Sequence, residues 1–305
     1  MTLHVACTAT GSYTPHAATM LKSLLLNMPD VPVCIYFLHD ASFQRESRAG
    51  LERTLQGHNA QLRCIPAGAA LPRAELPASG IFSEACWYRL LLPELLPELD
   101  RVLYLDCDLL VLDSLQALWE TDLEGMPLGA ITDAAPWAAR WAEQLGVPAA
   151  SYFNSGVLLM DLLRMRAEDT AAQIFEQARQ HRAQLRYPDQ DPLNLVLHAR
   201  HKRLPLRYNL QIACYTEKPS RLNTAAVELH DALARPAVVH FNSAWKPWHY
   251  RCKHPLRRRY AEYRRQTAWP QFELEGRSFK NRILRLLPAE WASNLSQWRQ
   301  RLRRA

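Results

Sequence analysis

A short apolar segment that runs directly into two carboxylates is the feature that most restricts how this chain can fold. Residues 102–105 are apolar and are followed by Asp106, Cys107 and Asp108, after which the chain turns apolar again. A run of this length is typical of a buried strand, and open α/β sheets bind ligands at the C-terminal ends of their strands. Two carboxylates in such a place need a positive partner, because burying an unpaired charge is costly. Since residues i and i+2 of an extended chain point the same way, the pair predicts a site for a hard divalent cation and, through it, a diphosphate.

Predicted strands and helices alternate along most of the chain. The strand candidates are short, largely apolar runs at residues 3–8, 33–38, 61–65, 102–105, 128–132, 152–160 and 237–241. The helix candidates lie at residues 16–27, 82–92, 167–182 and 189–197, and we expect the second of them to end at Pro93. Strands that alternate with helices favour βαβ units and a largely parallel sheet. The predicted fold class is therefore α/β, and 305 residues are enough for one large domain or two small ones.

The cysteine pattern and the hydropathy indicate the compartment. The seven cysteines are odd in number, scattered, and form no Cys-x-x-Cys pair, which is typical of reduced thiols rather than of a disulfide framework or a zinc site. The first residues lack the charged and apolar regions of a secretory signal. No run of about 18 apolar residues indicates a transmembrane helix. We therefore expect a cytoplasmic protein.

Positive charge is concentrated near the C-terminal end. Residues 257–305 hold thirteen Lys and Arg against four Glu, a net +9, so the other 256 residues carry −2 of the total of +7. Apolar side chains recur there with helical spacing at Phe279, Ile283, Leu286 and Leu287 and, beyond Pro288, at Trp291, Leu295, Trp298 and Leu302. A basic, Trp-bearing pair of amphipathic helices is typical of a segment that lies on an anionic membrane surface.

We therefore expect a domain of residues 1–250 followed by a basic, amphipathic helical tail of residues 251–305. The tail would hold the protein peripherally on the inner face of the cell membrane. Alternatively, its Trp and Leu residues fold back onto the domain and its arginines are solvated. Nucleic-acid binding is a third possibility for a basic tail, but the regular apolar face argues against it, so we expect no nucleic-acid partner.

A second segment adds residues of the same chemistry. Residues 238 and 239 are β-branched and lead into His240, and Lys246 follows six residues later. Two aspartates and a neutral histidine suit Mn²⁺, with Mg²⁺ as an alternative, and a lysine meets a phosphate as a point charge. Taken singly, a satisfied core histidine and a solvated lysine are the simpler interpretation.

Four segments taken together are similar to the family 8 retaining glycosyltransferases. They are Leu-Tyr-Leu-Asp-Cys-Asp at 103–108, Tyr-Phe-Asn-Ser-Gly-Val-Leu-Leu at 152–159, Asp-Gln-Asp at 189–191, and His240 with Lys-Pro-Trp at 246–248. The resemblance covers roughly residues 1–250 and is strongest to the α-1,4-galactosyltransferases of lipooligosaccharide synthesis. It implies the GT-A fold, a Rossmann-like mixed, mostly parallel sheet flanked by helices.

The resemblance also implies a role for each matching residue. The Mn²⁺ ligands would be Asp106, Asp108 and His240. Lys246 would contact the phosphates of a UDP-sugar, and Arg89 would reach its sugar and phosphate region. The donor sugar would be hydrogen-bonded by Asp133, Asn154, Asp189 and Gln190.

Three of these residues also have a purely structural interpretation. Asn154 suits a turn, Asp189 suits a helix cap before Pro192, and Arg89 suits half of a surface ion pair. For Asp189 the cap and the sugar contact are compatible.

The chain departs from the family pattern at two places. After the first strand, where the family usually has an acidic residue, this chain has Thr8 and Thr10, which hydrogen-bond a nucleotide more weakly than a carboxylate does; Tyr13 fits a residue that stacks on the base. Ser243 occupies a position usually held by glycine, where a side chain would crowd the phosphate or alter the acceptor pocket.

The resemblance implies transfer of a hexose, galactose before glucose, from a UDP-sugar to a lipid-linked oligosaccharide acceptor of lipopolysaccharide or lipooligosaccharide. Gln190 lies where a nucleophile is expected, and an amide is a poor nucleophile, so we expect same-face attack with retention. Two alternatives stay open: a phosphohydrolase of the haloacid-dehalogenase type, and a catalytically degenerate, membrane-bound scaffold.

Overall fold

The computed structural model describes residues 1–72, 76, 83–279, 281 and 282. Within these residues there are ten strands: β1 Leu3–Thr8, β2 Val33–His39, β3 Ala60–Pro66, β4 Arg101–Leu105, β5 Leu109–Val111, β6 Leu128–Thr132, β7 Phe153–Asp161, β8 His201–Arg203, β9 Leu210–Gln211 and β10 Val238–His240. The α-helices are α1 Thr14–Leu26, α2 Arg45–Leu55, α3 Leu92–Leu95, α4 Gln116–Trp119, α5 Pro136–Gln144, α6 Leu162–Ala167, α7 Thr170–Gln180, α8 Gln190–Leu197, α9 Ala213–Thr216, α10 Ala226–Ala234 and α11 Arg257–Arg264. Short 3-10 helices lie at Gly11–Tyr13, Ala67–Ala69, Glu84–Leu91, Ala149–Ser151, Leu206–Tyr208 and Pro219–Arg221.

Seven strands form one mixed sheet in the order β3-β2-β1-β4-β7-β6-β8. All neighbouring pairs are parallel except the two that involve β7, which runs against both β4 and β6. The prediction of a mixed, mostly parallel α/β sheet is therefore confirmed. Because β7 runs in the opposite direction, its first residues lie beside the C-terminal ends of β4 and β6. Polar side chains from the start of β7 therefore meet those that follow β4 and β6.

Helices cover both faces of this sheet, which explains why its strands read as continuous apolar runs rather than alternating ones. Val5 of β1 packs in one buried cluster with Leu21 of α1. Its neighbour Ala6 points to the other face and packs in a second cluster with Trp87 and Tyr88.

A second, three-stranded sheet has the order β5-β10-β9. β10 pairs antiparallel with β5 and places His240 opposite Leu109, the residue after Asp108. β9 pairs parallel with the other edge of β10, with Gln211 opposite His240. The small sheet therefore brings a histidine from late in the chain to the end of β4.

Two predicted helices differ from the observed ones. Residues 84–91 form a 3-10 helix that leads into α3, and Pro93 lies in the first turn of α3 instead of ending a helix, a position where its missing N–H costs nothing. The helix predicted at 167–182 is shorter, because α6 ends at Ala167 and α7 spans Thr170–Gln180.

The described part of the tail packs on the domain. Tyr260 of α11 is fully buried with Phe241 and Trp248, and its hydroxyl lies 2.6 Å from Nδ1 of His16. Phe279 is 79% exposed. The rest of the predicted amphipathic pattern lies outside the described residues: Ile283, Leu286, Leu287, Trp291, Leu295, Trp298 and Leu302. Among the described residues, no helix has the length and apolarity needed to cross a membrane.

Candidate active site

Polar side chains from both sheets converge where β4 and β6 end and β7 begins. A cavity of about 430 Å³ lies there. Nine of the predicted site residues line it: Arg89, Asp106, Asp108, Asp133, Asn154, Asp189, Gln190, His240 and Lys246. Ser243, the residue that replaces the usual glycine, lines it as well.

Asp106, Asp108 and His240 form a compact group whose potential ligand atoms all lie within 4.8 Å of one another. Nε2 of His240 is 3.2 Å from Oδ1 of Asp108 and 3.7 Å from Oδ2 of Asp106. Asp108 and His240 are buried, and Asp106 is partly exposed to the cavity. Two carboxylate oxygens and one imidazole nitrogen suit Mn²⁺, so the donor set fits the implied metal.

The orientation of the His240 ring is set by Asn209, which precedes β9. Oδ1 of Asn209 lies 3.0 Å from Nδ1 of His240. An amide oxygen only accepts hydrogen bonds, so Nδ1 carries the proton and Nε2 keeps its lone pair toward the two aspartates. This is the tautomer that a metal ligand requires.

Gly156 has no side chain, and His240 and Asp106 occupy the space that a side chain would fill. The pairing of β6 with β7 slips between Ala130 and Ile131, so that β7 bulges at this point. A Cβ added to Gly156 would lie 2.3 Å from Cε1 of His240 and 2.9 Å from Oδ2 of Asp106. The glycine of the Asn-Ser-Gly motif is therefore required for close approach to the metal ligands.

Lys246 is paired with the second aspartate. Its Nζ contacts Oδ2 of Asp108 and also donates to the Phe241 carbonyl at 3.0 Å. Burial raises the pKa of Asp108, but attraction to the Lys246 ammonium outweighs it and holds the pKa below its usual value. For Lys246, burial lowers the pKa and the Asp108 carboxylate more than restores it. Both groups are therefore charged at neutral pH.

Arg89 is buried between two carboxylates and does not form a surface ion pair. Its Nη2 lies 2.9 Å from Oδ1 of Asp106, and its Nε lies 3.2 Å from Oδ2 of Asp189. The guanidinium also stacks on the ring of Tyr104 at 4.4 Å, and the Tyr104 hydroxyl donates to Oδ1 of Asp106 at 2.9 Å. This network fixes Asp106, one of the three candidate metal ligands, and leaves its Oδ2 directed at His240.

A chain of buried amides connects the two halves of the cavity. Nδ2 of Asn209 donates to Asn154 at 2.8 Å, and Nδ2 of Asn154 donates to Oε1 of Gln190 at 3.0 Å. Nε2 of Gln190 donates to Oδ2 of Asp133 at 3.1 Å and lies 3.1 Å from the Tyr152 hydroxyl. Asn154 lies in β7 rather than in a turn. The network holds each side chain in a single orientation.

Asp189 is not used as a helix cap. It occupies the position before α8 but makes no capping hydrogen bond, and its buried Oδ2 is ion-paired with Nε of Arg89. Burial raises the pKa of Asp189, against the attraction of Arg89. Burial likewise raises the pKa of Asp133. Asp189 is therefore held in the cavity wall by its ion pair with Arg89.

Asp191, the last residue of the Asp-Gln-Asp motif, has a structural role. It is fully buried, and its Oδ1 accepts from the Trp141 indole and the Tyr152 hydroxyl. Its Oδ2 accepts from the backbone N–H groups of Arg186 and Tyr187 at 2.8 and 2.9 Å. Asp191 thereby fixes the loop in front of α8.

The predicted nucleotide residues lie apart from this cavity, near the C-terminal end of β1. Oγ1 of Thr8 is buried without a hydrogen-bond partner. Tyr13 is 39% exposed and meets Trp248 edge to face at 5.7 Å. Thr10 lies just before the 3-10 helix that contains Tyr13.

Three contributors could not be identified from the sequence. Asn209 lies outside the recognised motifs. Tyr104 lies inside one of them, but its contacts with Arg89 and Asp106 leave no local sign in the sequence, and Gly156 acts through a strand bulge. For Gly156 the sequence does contain one sign, because a glycine inside a strand often marks a bulge or a close approach of two segments.

The same arrangement of strands occurs in a glycosyltransferase of known structure. The galactosyltransferase LgtC, solved in complex with donor and acceptor sugar analogues, superposes with a TM-score of 0.75 at 26% identity, covering 95% of this chain and 99% of that one. The fold is therefore the GT-A fold, as predicted.

Residues 4–252 match the model of glycosyl transferase family 8, and the chain belongs to that family. General stress protein A of Bacillus subtilis is 28% identical over 88% of this chain and 94% of its own length. A lipopolysaccharide 1,2-glucosyltransferase of Escherichia coli is 26% identical over 88% and 79%. Family membership excludes the phosphohydrolase alternative, and the chain is a glycosyltransferase.

Proposed function

We propose that this protein transfers a hexose from a UDP-sugar to a saccharide acceptor of lipopolysaccharide or lipooligosaccharide, with Mn²⁺ as cofactor and with retention of the anomeric configuration. The observation that carries the proposal is the convergence of Asp106, Asp108 and His240. Lys246 lies directly beside them. A non-catalytic scaffold would have no need of this group.

The metal supplies Lewis-acid stabilisation of the two phosphates when bound, with Mg²⁺ as an alternative ion. The carboxylates of Asp106 and Asp108 would balance the charge of the ion, and His240 would bind it through a neutral nitrogen. Asn209 and Arg89 keep these ligands oriented, which is the usual task of residues behind a metal site.

Charge neutralisation drives departure of the diphosphate. Cleavage of the anomeric C–O bond places negative charge on the leaving phosphate oxygen. Lys246 and Arg89 are buried cations at the cavity, where fixed charges stabilise a developing anion far more than they do in water. No acidic group is then required to protonate the leaving group.

Retention is proposed to arise from same-face attack. A covalent double displacement needs a nucleophile, and Oε1 of Gln190 already accepts from Asn154 and from the Ser155 N–H at 3.0 and 3.2 Å. Asp191 is enclosed by its own partners. The leaving phosphate oxygen therefore takes the proton of the acceptor hydroxyl, while Asp133, Asn154, Asp189 and Gln190 hold the donor sugar.

For the nucleotide, we propose that Thr8, Thr10 and Tyr13 contact the uridine. Thr8 ends β1, the strand next to β4, so a nucleotide whose diphosphate meets Asp106 and Asp108 reaches it.

Galactose is favoured as the donor sugar and glucose is the next choice. LgtC is a galactosyltransferase, whereas the relative from Escherichia coli is a lipopolysaccharide glucosyltransferase. The name of the Escherichia coli relative supports an acceptor of the lipopolysaccharide type.

A lipid-linked acceptor agrees with the basic C-terminal segment, which we propose brings the enzyme to the inner face of the cell membrane. Since Tyr260 and Phe272 pack on the domain, the test removes residues 283–305 only. We expect this truncation to weaken binding to anionic liposomes and to preserve activity on a soluble acceptor. Unchanged liposome binding would refute the membrane role.

The proposed reaction is tested by a UDP-release screen over UDP-galactose, UDP-glucose and other UDP-sugars, with Mn²⁺ and with EDTA. We expect UDP-galactose with Mn²⁺ to give the highest rate and EDTA to abolish it. Asp108→Asn should lose release, whereas Asp113→Asn, a surface aspartate paired with Arg207, should keep it. Release that persists in EDTA would contradict the metal requirement, and no release from any UDP-sugar would contradict the function.

A further inference from the structure

A stack of aromatic rings connects helix α11 with the loop that follows β1. The His16 ring, in the first turn of α1, lies nearly parallel to the Trp248 ring, with the centroids 3.5 Å apart and an interplanar angle of 12°. Both residues are buried. The Tyr13 ring stands nearly perpendicular to this pair, 5.4 Å from His16 and 5.7 Å from Trp248. His16 and Trp248 therefore support the Tyr13 ring from one side.

Tyr13 keeps another part of its ring open to solvent, since the residue is exposed. Burial raises the pKa of its hydroxyl, and the positive charge of Lys246 acts against this rise. The ring therefore lies within electrostatic reach of the phosphate-binding lysine. A base that stacks on Tyr13 can belong to a nucleotide whose diphosphate lies at Asp106 and Asp108.

Helix α11 sets the orientation of the His16 ring. The Tyr260 hydroxyl lies 2.6 Å from Nδ1 of His16, and Nη1 of Arg264 lies 3.4 Å from the same nitrogen. A guanidinium only donates hydrogen bonds, so Nδ1 carries the lone pair and the Tyr260 hydroxyl donates to it. Burial lowers the pKa of His16 to about 3, with a smaller contribution from Arg264, so the ring keeps this lone pair at neutral pH.

The segment that carries Tyr260 is itself held on the domain. Nε of Arg264 donates to the Trp269 carbonyl at 2.6 Å. A Cβ added to Gly50 of α2 would lie 2.4 Å from the Trp269 ring, so this ring packs directly on the backbone of α2. The Tyr260 hydroxyl is thus fixed before any ligand binds, and groups that are ordered in advance lose little entropy on binding.

We propose that Tyr260 is a positioning residue for the nucleotide. Its hydroxyl holds His16 against Trp248, and these two rings hold Tyr13 in the orientation in which it stacks on the base. The inference rests on the proposed function, in which Tyr13 contacts the uridine. The described part of the C-terminal segment thereby takes part in donor binding through α11.

The diphosphate end of the donor does not depend on the Tyr260 hydroxyl. Lys246 is held by its own contacts with Asp108 and the Phe241 carbonyl. Loss of the Tyr260 hydroxyl should therefore weaken the binding of UDP and not that of inorganic pyrophosphate, which has no base. A general loss of folding or of the metal site would weaken both ligands.

Isothermal titrations of the full-length protein with UDP and with pyrophosphate, both with Mn²⁺, measure this difference. We expect Tyr260→Phe to raise the Kd of UDP about fivefold, the equivalent of about 1 kcal/mol for one buried hydrogen bond, and to change the Kd of pyrophosphate by less than about twofold. Tyr263→Phe is the matched control. The Tyr263 hydroxyl is on the same helix and accepts from Nδ2 of Asn27 at 3.2 Å, at the other end of α1. Both Kd values should stay within about twofold of the wild type in this variant.

A double variant tests whether Tyr260 acts through His16. His16→Ala should raise the Kd of UDP about tenfold, because it removes one ring of the support. Tyr260→Phe added to it should raise the Kd no further, since the hydroxyl then has no ring to hold. Additive effects would overturn the inference. If His16→Ala does not fold, Tyr260→Phe decides alone: UDP affinity equal to that of the wild type, or equal losses of UDP and pyrophosphate, would overturn the inference.

If the wild-type protein binds no UDP, the proposed function fails, and the positioning of Tyr13 is then decided without a nucleotide. NMR spectra of protein labelled with ring-¹³C tyrosine report on Tyr13, whose signal is assigned with Tyr13→Phe. We expect this signal to move in Tyr260→Phe and to stay in place in Tyr263→Phe, because the neighbouring rings determine its chemical shift. A Tyr13 signal at the same position in the wild type and in Tyr260→Phe would overturn the inference.

Discussion

Oδ1 of Asn209 lies 3.0 Å from Nδ1 of His240 in the buried wall of the site. This hydrogen bond decides which nitrogen of the imidazole faces Asp106 and Asp108. We therefore expect Asn209, which is not itself one of the three candidate metal ligands, to control whether His240 can bind the metal.

Asn209→Ala should weaken Mn²⁺ binding by about 10- to 100-fold, as expected when a residue behind a metal-bound histidine is lost. Isothermal titration with Mn²⁺ measures the change. Asn209→Asp keeps an acceptor for Nδ1 but loses the donor to Asn154, so it should recover only part of the affinity. Equal affinity in the wild type and the alanine variant would show that the ring is oriented by other contacts.

Gly156→Ala should abolish Mn²⁺ binding, because the added methyl group would lie 2.3 Å from the His240 ring. Gly146→Ala is the control: Gly146 has a φ of +75° with no atom near its Cβ position, so the substitution should lower stability by about 1 kcal/mol through backbone strain and leave Mn²⁺ binding intact. Thermal melts and metal titrations of both variants separate the two effects. Normal Mn²⁺ affinity in Gly156→Ala would contradict the observed packing.

Arg89→Met should reduce the free energy of unfolding of the metal-free protein by about 3 kcal/mol or more, because it leaves Asp106 and Asp189 without their buried cation. Urea unfolding in EDTA measures this loss. Arg48→Met removes one partner of an exposed pair with Glu52 and should cost about 0.5 kcal/mol or less. Similar losses in the two variants would show that the buried pairing adds nothing to stability.

Acid should destabilise the fold through His254, which packs between Tyr215 and Phe241. Burial lowers the pKa of His254 to about 4, whereas the unfolded chain has a histidine pKa of about 6.5. The unfolded state therefore binds a proton first, and the stability contributed by the neutral ring, at most about 3 kcal/mol, is lost as pH falls from about 6.5 to 4.

Urea unfolding at a series of pH values checks this expectation. His254→Asn removes the titrating group, so its free energy of unfolding should change less over this range than that of the wild-type protein. Parallel curves for the two proteins would mean that His254 does not contribute to acid sensitivity.

The sequence predicts the parts of the site that local patterns encode. An apolar strand that ends in Asp106 and Asp108, and another that ends in His240, indicate metal ligands at strand ends, and the structure brings the three together. Arg89 and Asp189 both line the cavity, but their mutual pairing depends on a contact between distant segments. The bulge at Gly156 and the support from Asn209 depend on strand pairing and could not be read from local sequence.

Helix boundaries were less predictable for the same reason. Pro93 indicates a helix end by its own chemistry, yet in the fold it begins α3 because the preceding residues form a 3-10 helix. The small sheet was not foreseen, since β5 and β9 have three and two residues and little pattern of their own.

The most direct test of the account is a crystal structure with Mn²⁺ and UDP, with diffraction data collected at the manganese absorption edge. We predict one anomalous peak about 2.0–2.3 Å from Asp106, Asp108 and Nε2 of His240, with the diphosphate against the same ion and beside Lys246. A manganese peak away from these three side chains, or bound UDP with no metal between it and the aspartates, would contradict the account.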